Sequence, residues 1–148
     1  MKQAEILTKQ IAPCGANCTI CMAYLKKTKS CHGCREDNIN KPFHCIRCKI
    51  KNCEELKNNS FDFCFECSKF PCKRMKQLDN RYRTNYNYSM IDNLENIKKI
   101  GIGKFIEEEK SKWICSKCCG IISVHRGYCS DCGEIKFYHT GTKRKKIN

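Results

Sequence analysis

The chain has 148 residues and a formal charge of +14, enough length for one ordinary domain or two small ones. Leu, Ile, Val and Phe supply 29 residues, too few to hold a fold by apolar burial alone, so the 16 cysteines are the second source of stability. No run is long enough for a signal-peptide core or a membrane span, which argues against a secreted disulfide scaffold or a membrane protein. The expected location is a reducing cytoplasm, where paired cysteines bind metal.

Eleven cysteines lie between Cys14 and Cys72, in a module expected to span residues 1–79. They occur as CGANCTIC (Cys14, Cys18, Cys21), CHGC (Cys31, Cys34), HCIRCKIKNC (Cys45, Cys48, Cys53) and FCFECSKFPC (Cys64, Cys67, Cys72). Eleven thiols suffice for two four-coordinate zincs with three left over, and His32 and His44 add alternatives. The pairs Cys18/Cys21, Cys31/Cys34 and Cys64/Cys67 are the safest ligands, because local pairs cost little loop entropy. The pattern does not divide the remainder into sites.

A helical connector is expected over residues 80–112. Before it, Pro71 suits the first turn of a helix through Met75 and Leu78. Asn80 to Tyr88 reads as a loop or surface strand. Ser89 and Asp92 form a capping pattern, Ile91, Leu94, Ile97 and Ile100 follow at helical spacing, and Gly101 is a natural stop. Phe105 and Ile106 belong to a second short helix ending near Trp113, with Glu107, Glu108 and Glu109 as a solvated face.

Residues 113–140 carry the firmest local signal, WICSKCCGIISVHRGYCSDCGE. Cys115 and Cys118 form one C-x2-C pair, and Cys129 and Cys132 the other. Two such turns complete a tetrahedron, and the β-branched, Gly-bounded stretch between them reads as a hairpin. This is the pattern of a β zinc ribbon. Cys119 is a spare thiol, and His125 an exposed polar residue at the hairpin tip. Residues 141–148 form a basic tail.

The ordered set CGxxCxxC, CxGC, a C-x4-C step at Cys48 and Cys53, and CxxCxxFPC resembles an uncharacterised prokaryotic family of cysteine-rich domains. Tyr82–Tyr86 (YRTNY) and Asn93–Gly101 (NLENIKKIG) resemble connectors of its longer members, which also carry a C-terminal zinc ribbon. The resemblance implies metal binding and no particular activity. Cys45 and Cys119 are additions to its pattern.

The expected fold is a small, irregular, metal-stabilised α+β structure: a zinc-knuckle module, short helices and a β zinc ribbon. About three Zn²⁺ ions would lower the charge from +14 to about +8, since each tetrathiolate zinc carries −2. The expected function is a non-catalytic binding or adaptor module for nucleic acid or protein. Arg81, Tyr82, Arg83, Tyr86 and Tyr88, with Lys143, Arg144, Lys145 and Lys146, mix cations with rings suited to phosphate and base contact. Packing of the tyrosines between modules is the competing reading.

The alternative is an iron–sulfur or thiol-based redox or metal-handling protein. Cys14, Cys18 and Cys21 match the C-x3-C-x2-C spacing of radical enzymes, without the length or βα alternation their barrel requires. Thiolates suit iron as well as zinc, so the N-terminal set stays open to a cluster. No acid/base pair, nucleophile triad or phosphate loop is placed by a motif.

Overall fold

A computed structural model describes residues 5–137. It contains five α-helices: α1 (Phe43–Ile46), α2 (Glu54–Asn58), α3 (Lys73–Tyr86), α4 (Met90–Ile100) and α5 (Ile102–Trp113). Single 3-10 turns occupy Thr8–Gln10, Cys18–Ile20 and Cys64–Glu66. The β component is reduced to isolated antiparallel bridges, Ile11 with Asn17, Ile114 with Ile121, Ile122 with Cys129 and Tyr128 with Ile135. The expected α+β fold is therefore mainly helical. Between the two cysteine pairs the described residues form isolated bridges and not the extended strands of the expected hairpin.

Helix α4 is the central element, packing on both α3 and α5 and on the Cys64–Glu66 turn. Its Met90, Leu94 and Ile97 recur at helical spacing and are all buried. Ser89 Oγ caps it by accepting from Asp92 N–H at 3.0 Å, and Gly101, at φ +87°, ends it and opens α5. Both signals stand in the sequence.

Helix α3 departs from expectation. Residues 80–86, read as loop or strand, continue the helix, which begins at Lys73 after Cys72, two residues beyond Pro71. Two i,i+4 pairs support the extension. Arg83 Nε donates to Asp79 Oδ2 at 2.5 Å, and the rings of Tyr82 and Tyr86 pack 5.0 Å apart. Asn87 closes the helix in the left-handed conformation. Asp79 also joins α3 to α4, accepting from Ser89 Oγ at 2.6 Å and Ile91 N–H at 3.0 Å. Burial works to raise its pKa, but these donors and Arg83 outweigh it and hold the carboxyl below its ordinary range.

The hydrophobic core is continuous across both cysteine blocks. It joins Ile6, Ile11 and Ile20 to Leu94, Phe105 and Trp113, and these to Ile121, Ile122, Val124 and Cys129. Val124 N–H donates to Ile20 C=O at 3.0 Å. The C-terminal segment is thus built into the N-terminal one.

Two polar residues expected at the surface are withdrawn from it to different degrees. Glu107 and Glu108 are exposed, but Glu109 is 1% exposed and accepts from Asn17 Nδ2 at 3.1 Å. Burial raises its pKa, opposed by Asn17, Lys112 and Trp113. Trp113 Nε1 lies near that carboxylate but lacks the geometry of a hydrogen bond. His125 is half-buried: its Nδ1 accepts from Met22 N–H at 3.2 Å, and its Nε2 lies 3.1 Å from Tyr82 Oη.

Gly15, in the CGANC loop, fits a space that admits no side chain. Its φ is +89°, and a Cβ there would stand 2.8 Å from both Met90 C=O and Leu94 Cγ. Backbone strain and overpacking then add. Gly15→Ala is expected to cost about 3 kcal/mol, read as a lower denaturant midpoint. An unchanged midpoint would show that the loop moves freely off α4.

Candidate metal centres

The C-terminal centre grows from two tight turns. Cys115 follows α5, and Cys119 N–H returns to Cys115 C=O at 2.8 Å to close the first turn. Gly133 N–H does the same to Cys129 C=O at 3.0 Å in the second. Cys119 adopts φ +64° and Gly133 φ +78°, left-handed conformations that such turns require. The turns aim backbone donors at sulfur, with Gly120 N–H 3.3 Å from Cys118 Sγ and Asp131 N–H 3.4 Å from Cys129 Sγ.

The bridges hold the turns face to face. The Sγ atoms of Cys115, Cys118, Cys129 and Cys132 all lie within 4.8 Å of one another. Cys115 and Cys132 are 3.7 Å apart, and Cys118 and Cys129 3.4 Å. A tetrahedron with metal–sulfur bonds of ~2.3 Å has edges of about 3.8 Å. The spacing therefore suits one metal ion.

The electrostatics agree. Backbone N–H groups of Cys118 and Lys117 bring Cys115 down to about 7. At Cys118, Gly120 N–H acts in the same direction, but the neighbouring thiols of Cys129, Cys132 and Cys115 outweigh it and push the group up to about 12. Four adjacent thiols cannot all ionise unaided, and a divalent cation is what allows it. Cys119 is exposed and outside the set.

Among the described residues no other His, Cys, Asp or Glu group closes to this degree. The N-terminal cysteines are drawn together more loosely. Cys34 N–H lies 3.4 Å from Cys18 Sγ, and Gly33 N–H 3.4 Å from Cys31 Sγ. The mutual influence of the Cys18 and Cys34 thiols pushes Cys18 up and Cys34 down, Cys34 reaching about 7 with Lys41, Lys51 and Arg35 assisting. Cys21 lies within the influence of Cys34 and Cys31, and Cys14 within that of Cys34, Cys64 and Cys48. Cys45, expected to be an outsider, is pushed up to about 12 by burial and by Cys34, Cys21, Cys31 and Cys48. It therefore sits among the others. Cys53, Cys64, Cys67 and Cys72 line a single cleft.

Among the described residues no histidine joins a closed set. His32 Nδ1 pairs with Asp37 at 2.9 Å, and His44 is exposed on α1. The Arg/Tyr segment is mostly structural. Tyr88 is buried, with its Oη 3.2 Å from Asn17 N–H, and Arg83 is engaged by Asp79 and Asp92. Only Arg81 of that group combines exposure with no partner role in this packing. Lys143, Arg144, Lys145 and Lys146 lie outside the described residues. Among the described residues no helix is long and apolar enough to cross a membrane.

His125, Glu109 and Asp79 are the polar residues that sequence reasoning misplaced or passed over. For Asp79 an i,i+4 Arg was a usable signal. Glu109 and His125 meet partners 92 and 103 residues away, beyond any local pattern.

No curated protein and no solved structure matches the chain. Residues 10–77, which include every N-terminal cysteine, are similar to the family described as a protein of unknown function, DUF3795.

Proposed function

We propose that the chain is a zinc-binding protein whose cysteine-ligated sites hold its fold, and that it acts as a non-catalytic binding or adaptor module. The observation that carries this reading is the Cys115, Cys118, Cys129 and Cys132 set, with sulfur separations of 3.4 and 3.7 Å. Such a set is coordinatively closed, with no position left for water or substrate, as structural zinc requires. The bridged segment between its pairs supports a zinc-ribbon assignment.

Elemental analysis with native mass spectrometry, on protein purified without added metal, tests it. About three zincs per chain are expected. Protein that folds and contains no metal would reject the reading.

For a partner, the supporting observation is the net positive charge, which falls to about +8 with three tetrathiolate zincs. Nucleic acid would be held through exposed cations such as Arg81 rather than by stacking on Tyr88, which is buried. Affinity for single-stranded RNA should then fall linearly on a log–log plot against salt. Binding weaker than about 10⁻⁴ M at physiological salt would leave a protein as the partner.

A further inference from the structure

We propose that Cys53, Cys64, Cys67 and Cys72 form a second, self-contained thiolate centre for a thiophilic metal, either zinc or iron. This rests on the metal-binding reading above and resolves a grouping that spacing leaves open. All four residues line one cleft between α2 and the start of α3, and neither Cys48 nor Cys14 lines it. Local structure brings them there. Cys53 precedes α2, Cys64 opens a 3-10 turn that ends at Cys67, and Cys72 immediately precedes α3.

Three further features fit an anionic centre. Lys69 N–H lies 3.4 Å from Cys67 Sγ, the same donor-to-sulfur contact made in the C-terminal turns. Cys72 stands at the N-terminus of a 14-residue helix, whose dipole favours a thiolate. Arg47, Lys49, Lys69, Lys73 and Arg74 line the cleft with only Glu54 and Glu55 as acids, so cations outnumber acids where a tetrathiolate centre would place −2. The strongest charge neighbours of Cys64 are Cys72, Cys53 and Cys67, ahead of Cys48. These are the other three cysteines of the cleft.

These sulfurs stand further apart than the C-terminal set. The centre forms either by closure onto a zinc ion or by spanning a wider iron–sulfur unit.

Membership is tested by non-additivity in the full chain. Native mass spectrometry should show that Cys53→Ser and Cys72→Ser each lose the same single metal equivalent. The double variant should lose no more than either alone, and Cys48→Ser should lose none. A double variant that loses two equivalents, or a Cys48→Ser that loses one, overturns the grouping.

Cys53→His and Cys72→His guard against simple unfolding, since each keeps a donor. In cobalt(II)-loaded protein both should shift the visible bands of one and the same centre, and bands that stay in place overturn the proposal. Absorbance near roughly 400 nm in the untreated protein, lost in both serine variants, identifies iron; its absence with zinc retained identifies zinc. Wild-type protein holding only the C-terminal equivalent overturns this inference and leaves the proposed function standing. A metal-free folded chain overturns both.

Discussion

Treatment with a strong chelator is expected to unfold the described core as one unit and abolish its cooperative thermal transition. The magnitudes decide this. Small domains have about 5–15 kcal/mol of net stability, whereas a structural zinc contributes about 10–16 kcal/mol of apparent binding free energy. Even one site therefore rivals the whole margin of a chain so poor in apolar bulk. Near-UV circular dichroism is a direct probe, because the lone tryptophan, Trp113, is buried two residues before Cys115 and stacks edge-on to Tyr88 at 6.0 Å. A chelated, metal-free protein that kept this signal and a sharp transition would show that the apolar core suffices.

The second large effect is expected from Cys129→Ser. Cys129 is 1% exposed and belongs to both the metal set and the core. Losing it should release one metal equivalent and cost more than about 4 kcal/mol, a size confined to a few mechanisms that include loss of a metal. The damage should spread. Val124 N–H bonds to Ile20 C=O and His125 accepts from Met22 N–H, so amide exchange should accelerate around residues 18–25 as well as in 113–137. Cys119→Ser, at an exposed position outside the set, should leave both metal content and exchange unchanged. Exchange confined to residues 113–137 in the Cys129 variant would mean that this segment unfolds independently.

That contrast shows what was legible in the sequence. The C-terminal cysteine set was, because two C-x2-C turns ten residues apart are a local device that needs no distant partner. Helix α4 was legible for the same reason, with Ser89, its apolar spacing and Gly101 all inside one short window. The second half of α3 was not. Its polar and aromatic composition conceals a helix held by Asp79–Arg83 and by Tyr82 and Tyr86 packed against His125, a residue about 40 positions away. Burial of Glu109 was hidden in an acidic run that looks uniformly solvated, although one member of the run points at Asn17. The N-terminal cysteines were legible as a ligand reservoir and not as sites, because many partitions of eleven thiols satisfy four-coordination equally well.

The bond between Val124 and Ile20 also sets an order of events during synthesis. It spans 104 residues, so it cannot form until the second cysteine block has left the ribosome. The cysteine turns have no such restriction, since the four C-terminal cysteines of the set lie within 18 residues and the N-terminal pairs are closer still. Loop-closure entropy therefore favours metallation of the local turns first and their docking into a shared interior last. A nascent chain arrested before residue 121 would present Ile20 without its covering partners, a patch suited to chaperone capture. Arrested chains of increasing length should show protease resistance rising abruptly once residues 121–129 emerge, and a gradual rise from the first cysteine block onward would contradict this order.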